Sequence, residues 1–112
     1  MQNIRYPIAG VIYHEKERAR AWYDNGAWQQ QTVGHLLQAT ARRCPERQAI
    51  ITEEGSVTFA QLDEQTERLA AALLNLGLDP GDRAIFQMGT TLETVVALLA
   101  CYKAGIVPVC SL

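Results

Sequence analysis

The chain has 112 residues, a length that fits one small domain able to bury about two-thirds of its unfolded surface. An apolar share of 48% and a charged share of 20% exclude a disordered chain. Ten basic and twelve acidic side chains are interspersed for a formal charge of −2, so there is no electrostatic footprint for nucleic acid or anionic lipid.

Residues 1–30 differ from the rest. Pro7, Gly10 and Gly26 surround one charged run, His14 to Arg20, in which Glu15 with Arg18 and Glu17 with Arg20 stand three residues apart. That spacing supports a short helix over about 14–23, marginal on its own in water. Trp22, Tyr23 and Trp28 are apolar anchors, and the segment reads as an N-terminal arm that docks on a larger body. The apolar stretch Ile8 to Tyr13 is too short for a secretory signal. Val95 to Tyr102 falls well short of the ~20 residues that span a bilayer. A cytoplasmic protein with no membrane partner is expected.

Thr32 is a good N-cap, followed by Val33, Leu36, Leu37, Thr40 and Ala41 on one helical face. Pro45 ends that helix, because the residue before a proline is pushed out of the α region. Residues 49–52 and 56–59 read as the two strands of a hairpin with Gly55 at positive φ. Thr58 and Gln61 form a capping box for the next helix. Leu62, Thr66, Leu69, Ala70, Leu73 and Leu74 line its buried face, and Gly77 follows its end. Asp79-Pro80-Gly81-Asp82 is a turn. Residues 83–88 read as a strand centred on Ala84-Ile85-Phe86. Thr90 and Glu93 suggest a second capping box, for a helix over 92–104 that is apolar almost all round and should be buried on more than one side. Gly105 ends it, and 106–109 forms a further strand.

Strand, helix and strand make one βαβ unit with parallel strands. The fold class is therefore α/β, with a β-hairpin and a parallel βαβ unit. Leu37, Leu62, Leu69, Leu73, Ile85, Val95, Leu98 and Leu99 are the expected core. A parallel pair needs cover on both faces, and few elements are at hand to supply it. Exposed apolar surface and self-association are expected.

Chemistry is sparse. Cys44, Cys101 and Cys110 form no CxxC pair, and His14 and His35 lie far from them, so free thiols in a reducing compartment are expected and a zinc site is not. No GxGxxG or GxxxxGK motif is present. Ser56 and Ser111 have no G-x-S-x-G around them to pair with a histidine base. Gly89-Thr90-Thr91, at a strand-to-helix turn, is placed where phosphate could bind, but Leu92 follows where a second glycine would be needed, and helix capping accounts for it. Asp63, Glu64 and Glu67 read as a solvated helix face, with Glu64 and Arg68 as an i,i+4 pair.

Three motifs in order carry a family resemblance. Thr58-Phe59-Ala60-Gln61-Leu62, Leu78-Asp79-Pro80-Gly81-Asp82-Arg83 and the run Leu98 to Val109 resemble the opening of the adenylate-forming ligases. That family includes acyl-CoA synthetases, aryl-acid AMP ligases and peptide-synthetase adenylation domains. Trp22 to Gly34 is similar to the start of aryl-acid AMP ligases such as 2,3-dihydroxybenzoate-AMP ligase, which serve siderophore biosynthesis.

The resemblance implies the first part of the large N-terminal domain of such an enzyme, with residues 1–30 as the arm and 31–112 as the truncated beginning of the domain. It implies ATP and Mg for the full-length enzyme, an acyl-adenylate intermediate, and transfer to a thiol on CoA or a carrier protein. The phosphate loop and the catalytic lysine fall later in such proteins. No catalytic, cofactor-binding or metal residue is therefore assigned within 1–112, and the chain's own role is scaffold, with the remainder of the ligase as its partner. The other reading is a stand-alone protein-interaction module that keeps a ligase-like fold and recruits through the Trp22/Trp28 arm.

Overall fold

The computed structural model describes residues 9–111. In order these form α1 (Lys16–Asp24), α2 (Val33–Arg43), β1 (Gln48–Thr52), β2 (Gly55–Thr58), α3 (Phe59–Asn75), β3 (Arg83–Gln87), α4 (Leu92–Ala104) and β4 (Val107–Ser111). The boundaries follow local chemistry. Thr32 caps α2 by accepting from the His35 amide, and the helix ends two residues before Pro45. At α3 both halves of the capping box are made, by Thr58 and Gln61. The Phe59 and Ala60 amides, orphans at any helix start, donate to the Arg47 and Pro45 carbonyls.

The end of α3 is closed as firmly. Gly77 takes φ +95°, its amide donates to the Leu74 carbonyl, and the Leu78 amide reaches back to Leu73. That pair of bonds is a Schellman closure, which favours glycine because a Cβ is strained at this φ. Pro80 and Gly81 then form a tight turn. The Asp82 amide donates to the Asp79 carbonyl at 3.0 Å, and the Asp82 carboxylate accepts from the Asp79 amide at 2.8 Å.

β1 and β2 form the antiparallel hairpin. β3 and β4 pair in parallel, from Arg83 with Val107 to Gln87 with Ser111, with α4 as the crossover. The expected βαβ unit is present. One cap differs: the N-cap of α4 is Thr91, which accepts from Thr94, and not Thr90 with Glu93. Starting one residue later places Thr94 at the third helical position, where its amide is free to donate.

The core is built largely of small residues. Ala70, Ala100, Cys101, Ala104 and Ile106 form the buried cluster, with Leu69, Leu73, Leu78, Ala84 and Phe86 packed against it. Thr66, fully buried, satisfies its hydroxyl on the Leu62 and Asp63 carbonyls of its own helix. Leu37 and Leu62 are buried as expected. Leu69, Leu73, Val95, Leu98 and Leu99 are only half-buried, because where α3 meets α4 the cluster between them is mostly alanine. Leu69→Ala should therefore lower unfolding free energy by about 2 kcal/mol, the low end for a core leucine. An unmoved urea midpoint would contradict that packing.

Ile85 is the clear correction. It is 75% exposed. Alternation along β3 sends Ala84 and Phe86 to the helix-covered face and Ile85 to the other. There it joins its ladder partner Val109 and the next outward residue, Val107, both exposed. The described elements cover one face of the parallel pair and leave an apolar strip on the other.

Candidate functional site

The strand-to-helix turn after β3 is the one place where the sequence offered a phosphate grip. Its groups are engaged locally. The Thr94 hydroxyl donates to the Gly89 carbonyl at 2.5 Å, and the Thr91 hydroxyl accepts from the Thr94 amide. Glu93, in the first turn of α4, is hydrogen-bonded by its own backbone amide and by the Thr91 side chain, which holds its carboxyl below the usual range. A carboxylate thus already sits at this helix start and repels a second anion. A depressed pKa means that Glu93 contributes helix stability above the ordinary carboxylate range, lost as pH falls through the lowered value.

The other residues weighed from sequence are held apart in local roles. Ser56 accepts from Gln48 within the hairpin. Ser111 lies in β4 beside Gln87. His35 is bonded to Thr32 in its own cap. His14 packs edge-on to Trp22 with ring centres 4.9 Å apart. Trp22 and Trp28 pack at a tilt of 47° with ring centres 4.5 Å apart, Tyr23 meets Trp28 at 5.6 Å, and the Arg18 guanidinium lies over Trp22. Gly26, at φ +78°, turns the chain so that the Trp28 amide can donate back to the Trp22 carbonyl. This aromatic clasp closes on itself, and α1 has no buried residue.

Among the described residues no group of three or more His, Cys, Asp or Glu side chains could hold a metal. Nor, among the described residues, is any helix long and apolar enough to cross a membrane.

The most constrained polar site was not legible as one. Lys103, near the end of α4, has a side chain only 7% exposed. Its ammonium donates to Asp63 Oδ1 at 2.6 Å, to the Asp63 carbonyl at 3.0 Å and to Glu67 Oε2 at 3.1 Å. Asp63 and Glu67 are therefore not simply a solvated face: they receive a cation from the neighbouring helix. Glu64 and Arg68 do form the expected exposed pair. Behind the lysine lies Gly34 of α2, where an added Cβ would stand 3.0 Å from Lys103 Cγ and 3.3 Å from its Cα. α2, α3 and α4 meet at this point. A buried ammonium tolerates this position only because it is paired and hydrogen-bonded.

Comparison with known proteins places this geometry. Residues 37–111 match the AMP-binding enzyme family. The chain belongs to that family. It is 35% identical over 107 residues to a salicyl-AMP ligase / salicyl-S-ArCP synthetase of Mycobacterium tuberculosis, covering 91% of this chain and 19% of that protein. It is 33% identical over 100 residues to a salicylyl-CoA synthase / salicylate adenylyltransferase of a Streptomyces species, covering 89% and 18%. The apo structure of Mycobacterium smegmatis MbtA superposes with a TM-score of 0.85 at 38% identity, over 89% of this chain and 19% of that one. The chain thus spans about a fifth of the length of these relatives.

The mixed α/β arrangement, with one antiparallel and one parallel strand pair, is that of the N-terminal region of adenylation domains. Several residues of the motifs that carried the resemblance have a mechanical task here. Thr58 and Gln61 cap α3, Gly81 makes the turn into β3 at φ +97°, Gly105 closes α4 at φ +74°, and Lys103 with Gly34 locks three helices together.

Proposed function

We propose that this chain supplies the opening α/β unit of a ligase that activates a carboxylic acid, an aryl acid such as salicylate favoured, with ATP and Mg. In that reaction a carboxylate oxygen attacks the α-phosphorus and pyrophosphate leaves. The acyl-adenylate is then attacked by a thiol of CoA or of a carrier protein, and AMP leaves. Residues 1–30 are an arm, and residues 31–112 build the frame of the domain without a catalytic side chain of their own. The observation that carries this reading is that the groups weighed as reactive are engaged in caps, turns and helix junctions, while family membership and the two salicylate-activating relatives supply the chemistry.

Two assays test it. The 112-residue chain alone should give salicylate-dependent ATP–pyrophosphate exchange no higher than a heat-killed control. Grafted in place of the matched fifth of the salicyl-AMP ligase, it should preserve exchange. Activity in the isolated chain would overturn the scaffold role. A soluble, folded graft with no exchange would overturn the family-specific role and favour the interaction module.

The open sheet face gives a further expectation. Ile85, Val107 and Val109 line a surface that the remainder of a ligase would cover, and among the described residues the outer edges of β3 and β4 are unpaired. The isolated chain should self-associate at micromolar concentration and bind a dye for exposed apolar surface. Ile85→Lys should reduce both in sedimentation and fluorescence, with stability within about 0.5 kcal/mol of the parent, as for exposed sites.

A further inference from the structure

The sequence has three asparagines, Asn3, Asn25 and Asn75, and of these only Asn25 is followed by glycine. That pair is chemically fragile. A glycine has no Cβ to hinder its own amide nitrogen, so this nitrogen can attack the asparagine side-chain carbon and expel ammonia. Asn75, at the end of α3, precedes the bulky Leu76, which hinders the same approach.

Asn25 and Gly26 are both exposed, in the turn that closes the aromatic clasp. The clasp holds them in an unreactive shape. Asn25 ends α1 at φ −90° and ψ 0°. Ring closure needs the Gly26 nitrogen eclipsed with the Asn25 Cβ, roughly a third of a turn away about ψ by the tetrahedral spacing on Cα. The Asn25 amide oxygen also accepts from the Ala27 amide at 2.9 Å, and the attacking Gly26 amide donates to the Tyr23 carbonyl at 3.1 Å. Turning ψ swings the chain beyond Gly26 and breaks the 2.9 Å bond from the Trp28 amide to the Trp22 carbonyl. The ring contacts of Trp28 with Trp22 and Tyr23 go with it. α1 has nine residues, none of them buried, so little else holds this segment shut and local opening is cheap.

We propose that Asn25 is a self-modification site gated by the aromatic clasp, and that its product holds the clasp open. In the open state the Gly26 nitrogen bonds to Asn25 Cγ, the Cγ–Nδ2 bond breaks, and ammonia leaves with the Gly26 proton. Water then opens the succinimide ring at one of its two carbonyls, giving aspartate or isoaspartate. Asparagine and water become the acid and ammonia, with no oxidant or reductant. Either product places a new carboxylate beside Asp24 at the C-terminal end of α1, where the helix dipole disfavours negative charge. Isoaspartate also routes the backbone through Cβ, which moves the Trp28 amide out of register with the Trp22 carbonyl. The release is one-way, since ammonia is lost.

The test incubates the whole chain at mildly alkaline pH, with and without urea, and follows residues 21–42 as a tryptic peptide. That peptide should gain the mass of one deamidation, with isoaspartate and aspartate located at position 25, while Asn75 stays intact. The reaction should be slower in buffer than in urea. Trp28→Ala should quicken it about three- to tenfold in buffer, the range set by loss of an aromatic contact, and leave the urea rate unchanged. Trp22 and Trp28 are the only tryptophans, so their emission reports on the clasp alone. It should shift to the red in the modified chain and in Asn25→Asp. A folded chain that reacts as fast as the urea-unfolded one would overturn the gate, as would a Trp28→Ala chain no faster than its parent in buffer. Unchanged emission after modification would overturn the release.

Discussion

Asp63→Ala should lower the unfolding free energy by about 3 kcal/mol, the low end of the cost of breaking a buried ion pair from one side. The loss comes from what is left behind. The Lys103 ammonium, 7% exposed, would keep only the Asp63 backbone carbonyl and a Glu67 carboxylate that is itself 68% exposed. An exposed partner is screened by water and salt and contributes little. Glu67→Ala should therefore cost under about 1 kcal/mol. Lys103→Met removes the charge but keeps most of the volume. It leaves Asp63, 25% exposed, with some access to water, so the cost should stay below about 1.5 kcal/mol. Urea unfolding followed by circular dichroism ranks the three. If Asp63→Ala proves no worse than Lys103→Met, the junction does not depend on holding a buried charge.

Local rules read the elements well because the signals are local. Thr32, Thr58 with Gln61, Gly77 and Gly105 act where their backbone chemistry predicted, and the hairpin and the βαβ unit follow from them. What failed needed knowledge of what packs on what. Ile85 sits between Ala84 and Phe86 in an apolar run, and the run alone does not say which face the helices choose. Strict alternation would have placed Ile85 opposite its neighbours and warned that one of the two sets is open.

Lys103 did leave a trace in the sequence. It is a lone cation on a helix that is otherwise apolar almost all round, and such a charge must find a partner or a route to water. Its partner could not be named from sequence, because Asp63 lies forty residues earlier and only the close contact of α3 with α4 brings the two together. The resemblance to adenylate-forming ligases was legible from motifs. So were the capping and turning tasks of Thr58, Gln61, Gly81 and Gly105, whereas the interlock of Lys103 with Gly34 was not, since it exists only where the helices meet.

The interlock also sets a size limit that can be read directly. Gly34→Val should destabilise by about 3 kcal/mol, whereas Gly34→Ala should be close to neutral. Alanine gains up to about 1 kcal/mol of helix propensity over glycine, the interior value, and Gly34 stands second in α2, in its first turn. Against that gain stands its Cβ, 3.0 Å from Lys103 Cγ and 3.3 Å from Lys103 Cα. The side-chain atom can swing a few tenths of an ångström, but the backbone atom moves only if α4 moves. Overpacking of this kind costs about 1–3 kcal/mol, so at alanine the two effects nearly cancel. Valine adds two more carbons in the same space and loses much of the propensity gain through its branched side chain. It must either push α2 off α4 or drive the Lys103 stem aside and weaken the bond to Asp63.

A double-mutant cycle with Lys103→Ala separates those routes. Removing the stem vacates the space beyond Cβ, so the cost of valine should fall by about 1–2 kcal/mol, a coupling typical of residues in contact. A residual penalty should remain, because the Lys103 backbone stays where it was. Additive behaviour of the two substitutions would mean that Gly34 is small for some reason other than its neighbour, and the three-helix junction would lose its central argument.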